Sequence, residues 1–407
     1  MTILKLKGGL EGNITKMYLF EILGGIVFFG AIMMTFQESK GLSLSEIFYV
    51  KIGFVVSMAL FEAPSGYFAD IYGRKMSLIA GSIIELLGIT LFAFANSFEL
   101  FLIVDILMGL ALAFYSGANS AIVYETLDAQ NRTREYQKIW GDMKFYSMIT
   151  MGISSIIGGF VADTYGLAYA VYINIPSIVL ILFISLSLQE PPRVKVIAKK
   201  GFANGVIDTF KSNKALQLIV VYSGIIYIFN QSIYSAYQHY YKITGIDLVY
   251  FGLIHALFQV VSAYSSKYAY IVDKKLGKKN IAILLPFIVA ISYILMGTFI
   301  GTWSFIFILL QQFVRGFREI IVSDYINQLV SSDKRATVLS MSSLLSKLMI
   351  APMLLIWGFS LEYLSLREVL IIFGLVGLVI WIVLWIFIEK LGDKDAKYKE
   401  PNRFGSI

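Results

Sequence analysis

Long apolar runs alternate with short polar interruptions along this chain, and the runs share one length class. A helix needs about 20 apolar residues to cross the hydrocarbon core of a bilayer. Twelve such stretches are predicted, near residues 17–37, 46–67, 76–95, 99–123, 143–163, 167–188, 215–240, 248–271, 281–300, 303–327, 338–360 and 367–389. Most of the connections between them are very short. The longest polar interval, 190–214, falls near the middle and splits the chain six plus six. The expected organisation is an N-terminal six-helix bundle (1–189), a linker (190–214) and a C-terminal six-helix bundle with a short tail (215–407).

Composition narrows the class. Of the 407 residues 57% are hydrophobic and only 15% charged, where soluble domains carry roughly a quarter charged residues. A soluble core could not hide this much apolar surface, because about half of such a chain must face water. The net charge of +7 does not indicate nucleic acid, since the basic residues sit in short loops between apolar runs and act as topology signals. With the N-terminus placed in the cytoplasm, about 26 of the 34 Lys and Arg fall in cytoplasmic segments, and the outer loops hold Lys40, Lys242 and Arg367. Both termini, and the linker, are therefore expected on the cytoplasmic side of the cell membrane. The absence of cysteine excludes disulfides, thiolate metal sites and cysteine nucleophiles. Two histidines, His239 and His255, are too few for a histidine metal cluster, and neither metal nor cofactor is expected. The first sixteen residues lack the apolar core and small-residue cleavage site of a signal peptide, so the first apolar run is expected to remain as a helix.

The two halves echo each other. The fourth stretch carries Gly109 and Ser116, followed by Arg132 and Lys144; the tenth carries Gly316 and Ser323, followed by Arg335 and Lys347. Asp70 with Gly73-Arg74-Lys75 follows the second stretch, and Asp273 with Gly277-Lys278-Lys279 follows the eighth. Matching spacings of this kind agree with two parallel six-helix repeats.

Between the second and third stretches the chain reads GYFADIYGRK, Gly66 to Lys75. This resembles the signature loop of the major facilitator superfamily, Gly-x-x-x-Asp-x-x-Gly-Arg-Arg/Lys. The surrounding FEAPSGYFADIYGRK and the later FYSGANSAIVYETLD resemble the bacterial multidrug-efflux-like, drug:proton antiporter branch. The resemblance implies an all-α membrane fold of twelve helices in two pseudo-symmetric bundles, acting as a monomer on a small-molecule substrate and protons. It also implies that Asp70 meets the N-terminus of the eleventh helix, near Thr337 to Met341. Physically, Gly66 permits close helix approach, Gly73 a tight turn, and Asp70 suits the positive end of a helix. Arg74 could pair with Glu125 or Asp128. Gly66, Asp70, Gly73, Arg74 and Lys75 together make a candidate conformational latch; the bland alternative is a basic loop anchored to headgroups. Two other family motifs are degraded. Asp105 stands where the fourth-helix motif places Arg, and Ser154-Ser155 precede Gly158-Gly159 where the antiporter motif has proline. Antiport therefore cannot rest on that motif.

Ionisable groups inside hydrocarbon are costly unless paired or neutral. Glu21, Asp105 and Glu85 are the proton-coupling candidates. For Glu21 the alternative is a carboxylate snorkelling to the interface; for Asp105 it is an ion pair with Lys51, at comparable depth in the second stretch. Glu85, at the middle of the third stretch, must be neutral or turned inward. Arg315 and Glu319 are four apart and can pair on one helix face, or Arg315 can meet an anionic substrate group or a carboxylate of the other half.

The resemblance implies that the first, fourth, seventh and tenth helices line the substrate cavity. The seventh carries Tyr227, Asn230, Gln231, Tyr234, Tyr237, Gln238 and Tyr241 at intervals of three and four, a polar and aromatic stripe on one face. Tyr115 and Asn119 on the fourth, and Gln312 and Arg315 on the tenth, complete the candidate cavity. Such a lining suits an amphipathic or aromatic solute. No Gly-rich phosphate loop is present, so direct ATP drive is not expected. The expectation is a secondary active transporter, and not an enzyme, working by alternating access with proton-coupled efflux. Uptake of a nutrient or signalling molecule, and a non-transporting sensor on the same fold, stay open as alternatives. A membrane enzyme or scramblase would need a cluster of His, Asp or Glu at one face, which the sequence does not offer.

Overall fold

The computed structural model describes residues 9–192, 213–329 and 335–397. All regular structure among them is helical. In chain order the helices are α1 (Leu10–Gly24), α2 (Met33–Ser39), α3 (Leu44–Tyr72), α4 (Arg74–Phe94), α5 (Phe98–Tyr115), α6 (Ala118–Ala129), α7 (Tyr136–Tyr165), α8 (Leu167–Tyr172), α9 (Ile175–Ser187), α10 (Lys214–Tyr234), α11 (Tyr237–Ile243), α12 (Leu248–Leu276), α13 (Lys278–Thr298), α14 (Ile306–Leu329), α15 (Arg335–Tyr363) and α16 (Leu366–Lys397). Among the described residues nine helices or joined helix pairs are long and apolar enough to cross a membrane. With α1–α2, α5–α6, α8–α9 and α10–α11 each taken as one interrupted crossing, the architecture is consistent with twelve passes. Of the linker expected at 190–214, residues 193–212 lie outside the described residues, as does the tail beyond Lys397.

The interruptions were not foreseen as breaks, and glycine marks two of them. The first crossing stops at Gly24-Gly25 and resumes at Met33. Its loosened backbone is answered by side chains from elsewhere, as hydrocarbon requires. Val27 N–H donates to Ser154 Oγ (3.1 Å) and Phe28 N–H to Asn174 Oδ1 (2.9 Å). Met34 and Thr35 N–H both donate to Gln238 Oε1, at 2.8 and 3.2 Å. The fourth crossing turns at Gly117, whose φ of 75° suits glycine. The seventh kinks between Tyr234 and Tyr237.

The buried apolar side chains form two clusters, one in each half. The C-terminal cluster also takes in Phe48 and Val55 from α3. The echo in sequence has a packing counterpart. The Cα of Gly109 lies so close to the Phe54 carbonyl on α3 that a Cβ there would overlap it, and Gly316 stands likewise against the Ser262 carbonyl on α12. Both are small-residue contacts of the kind that bring membrane helices together. The side chains of Ser323, Arg335 and Lys347 lie outside the described residues.

The halves meet along two pairs, α7 with α12 and α3 with α15. Gly252 fits against the Ser155 carbonyl with no room for a Cβ. A Cβ on Gly159 would sit 3.1 Å from Gly252 N, and one on Gly158 would overlap the Phe28 carbonyl of the first break. In the second pair the Tyr49 ring covers Gly358, Phe48 stacks on Trp357 at 5.4 Å, and Tyr49 OH donates to Glu362 Oε1 at 2.7 Å. The Gly158→Ala variant is expected to lose about 1–3 kcal/mol through overpacking, seen as a lowered Tm in detergent. Gly24→Ala, where nothing lies within 4 Å, should melt at or above wild type.

Candidate functional site

Polar groups from both halves converge at mid-depth, around the break of the first crossing and the kink of the seventh. A small cavity of about 30 Å³ is lined by Gly30, Met33, Met34, Lys51, Tyr234, Ser235, Tyr237 and Gln238, room for a water or two. Its roof, toward the face of the molecule that carries Lys40, is the Gln238 side chain. That amide donates to the Gly30 carbonyl (3.0 Å) while accepting from Met34 and Thr35 N–H. Gln238 thus satisfies both sides of a helix break in the opposite half.

Beside it stands His255 on α12, 2% exposed. Ser155 Oγ donates to the Met151 carbonyl (2.7 Å) and is therefore an acceptor toward His255 Nδ1 at 2.9 Å. The ring then carries its proton on Nδ1, and Nε2 accepts from Tyr234 OH at 2.8 Å. One imidazole so joins α7, α12 and α10. Sequence reasoning passed over His255, a lone histidine with no visible partner along the chain.

The seventh-crossing stripe is shared among several tasks. Asn230 is buried and donates to the carbonyl (2.7 Å) and to the side-chain oxygen (3.0 Å) of Gln311 on α14, fastening two helices together. Tyr227 lies under the Arg318 guanidinium at 5.1 Å. Tyr234 faces the cavity, Gln238 forms its roof, and Gln231 is half-buried one turn before Tyr234. On α14, Arg315 donates to Gln312 Oε1 (3.1 Å) and to Gln259 Oε1 of α12 (3.3 Å). The side chain of Glu319, the expected helical partner of Arg315, lies outside the described residues.

In the N-terminal half Glu21 is 5% exposed, bonded to Lys144 Nζ (2.8 Å) and to Asn119 Nδ2 (3.2 Å). It does not snorkel; three crossings meet on its carboxylate. Lys144 is half-exposed and lies over the Trp140 ring at 4.4 Å. Lys51 and Asp105 act on each other electrostatically across the α3–α5 interface, yet among the described residues no direct ion pair joins them. Glu85 is turned inward, accepting from Tyr115 OH at 2.7 Å, and the Tyr115 ring lies over Gly81. Tyr115 is thereby engaged at the α4–α5 interface and not with the polar groups around Tyr234.

The Gly66–Lys75 loop has its own arrangement. Gly73, at φ 118°, makes the turn. Arg74 bonds Asp70 (2.8 Å) and Glu125 (3.2 Å), the second of these as foreseen. Glu190, at the end of the sixth crossing, accepts from both Arg74 and Lys75 N–H at 2.8 Å and so caps α4; its distance along the chain hid this. Nothing lies within 4 Å of a Cβ on Gly66, so the close approach expected of that glycine is not made in this conformation. The side chains at Thr337 to Met341, the expected partners of Asp70, lie outside the described residues.

At the opposite face Glu38, in the last turn of α2 and beyond the apolar run 17–37, is shared by His239 (2.6 Å) and Lys242 of α11. Burial pushes its carboxyl up, but the bonds to His239 and Lys242 outweigh this and hold it below the ordinary carboxylate value.

Residues 17–352 match the sequence profile of the Major Facilitator Superfamily, and a fold of interrupted membrane helices in two packed halves is what that class of proteins has. The chain belongs to the Major Facilitator Superfamily. An uncharacterized MFS-type transporter of Methanocaldococcus jannaschii is 28% identical over 169 residues, 40% of this chain and 42% of the relative. The chain thus matches less than half the length of that relative. Among solved structures, a mutant of the nucleoside transporter NupG superposes with a TM-score of 0.77 at 15% identity, covering 92% of this chain and 99% of NupG. An inward-facing, unoccupied bacterial homolog of the human lysosomal transporter Spinster gives 0.75 at 14%, covering 95% and 98%. A D-xylose–proton symporter gives 0.67 at 15%, covering 91% and 96%. These likenesses establish the fold.

The Glu38→Gln variant is expected to loosen the Glu38–His239–Lys242 contact. In this cysteine-free chain a single cysteine at Ser235 reports access to the cavity, and impermeant maleimide added on the Lys40 face should label it about two- to fivefold faster in the variant. Since the Glu38 carboxyl is held low, the contact persists through neutral and mildly acidic pH. Labelling of the unmutated background should rise only as pH falls through that lowered value.

Proposed function

We propose that this protein is a secondary active transporter that moves a small amphipathic or aromatic solute by alternating access, coupled to protons and running as efflux. The observation that carries the reading is the distribution of contacts between the halves. Among the described residues, the hydrogen bonds and ring contacts that cross from one half to the other cluster around Gln238, His255, Tyr49 and Glu38, on the side away from Gly66–Lys75. Directly beneath them lie Tyr234, Lys51 and Arg315. A site at mid-depth, with breakable contacts on one side and a signature loop on the other, is the arrangement that rocking of two bundles uses.

Proton coupling is assigned first to Asp105. Its cationic neighbour Lys51 lines the cavity and, among the described residues, makes no direct ion pair, so the two can exchange partners as the halves move. Glu21 is the second candidate, held by Lys144 and Asn119. The distribution of basic residues supports placing the protein in the cytoplasmic membrane with both termini and the Gly66–Lys75 loop on the cytoplasmic side. Uptake is the alternative direction, since nothing in the cavity distinguishes the two.

Reconstituted protein with an entrapped pH dye tests this reading. Solute-dependent proton movement is expected in wild type, reduced by at least about tenfold in Asp105→Asn, with binding of the solute retained. Solute exchange that proceeds with no proton movement would remove proton coupling, and the lack of any solute flux across aromatic cations, anions and neutral compounds would remove the transporter reading.

A further inference from the structure

Among the ionisable side chains at mid-depth, Arg315 differs from the rest in its company. Glu21 has Lys144, and Asp105 has Lys51 as its electrostatic neighbour. Arg315 is half-buried about ten residues into α14, and its polar partners are two amides, Gln312 and Gln259. No carboxylate among the described residues reaches it, and a guanidinium does not shed its proton to escape burial.

The two amides make the imbalance larger. A guanidinium only donates, so both glutamines must turn their oxygens toward it. That leaves their N–H groups pointing elsewhere. Gln312 Nε2, in a side chain 1% exposed, has no acceptor among the described residues. Beyond these two amides, no group among the described residues receives the further N–H groups of Arg315. The site therefore holds an excess of donors and a full positive charge at a depth where each unmet donor is costly. Around it stand aromatic side chains. Its charge acts on Tyr227, Tyr234 and His255, and Tyr234 also lines the cavity with the second cation, Lys51.

We infer that Arg315, with the amide of Gln312, is the anchor for an oxyanion group of the transported solute, whose apolar or aromatic body lies along Tyr227 and Tyr234. This rests on the transporter reading above and narrows it: the solute is an amphipathic anion bearing a carboxylate or a phosphate, and not a lipophilic cation. A guanidinium recognises either oxyanion through paired N–H···O bonds. Lys cannot reproduce that fork and offers a point charge instead.

The test separates binding from transport. Purified protein in detergent is titrated, by calorimetry, with four probes that share a phenyl body: benzoate, phenyl phosphate, benzyl alcohol and benzyltrimethylammonium. Wild type is expected to bind one or both anions at least about tenfold more tightly than the alcohol and the cation. Arg315→Gln should lose that preference, and Arg315→Lys should keep a part of it. Which anion binds more tightly distinguishes carboxylate from phosphate recognition. The empty Arg315→Gln protein should melt at or above the wild-type temperature, because removing an unanswered charge relieves the empty site; a fall in Tm would mark Arg315 as structural and overturn the inference. Equal binding of the alcohol or the cation, no anion binding in wild type, or anion binding unchanged in Arg315→Gln would overturn it as well. None of these results depends on a membrane, so liposome flux remains a separate test of transport itself.

Discussion

Backbone N–H groups inside hydrocarbon must find acceptors, and in this protein that requirement is most acute at the break between Gly24 and Met33. The first crossing gives up its helical ladder there, and side chains from the fifth, sixth and seventh crossings take over. Ser154 and Asn174 do so from within the N-terminal half, while Gln238 does so from the other half. An unmet group of this kind costs several kcal/mol, so the break ties the two halves together. It also explains why glycines gather nearby. Gly158 lets α7 come close enough for Ser154 to reach Val27, and Gly159 with Gly252 lets α12 follow. The polar cluster at mid-depth is thus a consequence of how one broken helix is satisfied.

Charge is arranged on the same plan. Three carboxylates inside the N-terminal bundle have a donor or a cation within reach: Glu21 has Lys144, Glu85 has Tyr115, and Asp105 has Lys51 nearby. At the motif loop Arg74 gathers Asp70 and Glu125, while Glu190 closes the N-terminus of α4. These contacts hold segments of one half to each other. The contacts between halves are fewer and of a different kind, resting on Gln238, His255, Tyr49 and Glu38. Where water replaces the lost partner as the halves part, neutral hydrogen bonds and partly solvated ion pairs contribute only about 1 kcal/mol each. A seam built from them can open without unfolding either bundle.

Much of the architecture was legible in the sequence. Twelve apolar runs, the mid-chain polar interval and GYFADIYGRK led to the fold, because membrane helices announce themselves by length and hydropathy alone. The pairing of Arg74 with Glu125 and the inward turn of Glu85 could also be read, since a charge in hydrocarbon has few options. What escaped was whatever depends on distant backbone. Gln238 read as a cavity residue by its place on a polar stripe, but its partners are the carbonyl and amides of a break 200 residues earlier. Asn230 lay on the same stripe and proved to be a fastener to Gln311. His255 was weighed only as a metal ligand, and Glu190 fell inside the polar interval 190–214 with no partner suggested for it. Helical spacing identifies which residues share a face; it does not identify what that face meets.

The kink of the seventh crossing is where these threads join. Within one short stretch it carries Tyr234 at the cavity, Gln238 on the broken first crossing, and His239 and Lys242 on Glu38. Tyr234 is bonded to His255, which holds Ser155 of the other half. A solute can shift an equilibrium only by binding one state better than the other. On the proposed function, a ligand lodged against Tyr234 and Arg315 would touch Tyr234, whose bond to His255 leads to Ser155 of the other half, so its binding energy would act on the groups of the seam. Transport by such a device needs no signal relayed over distance. The contact that recognises the solute is one bond away from the contact that must break.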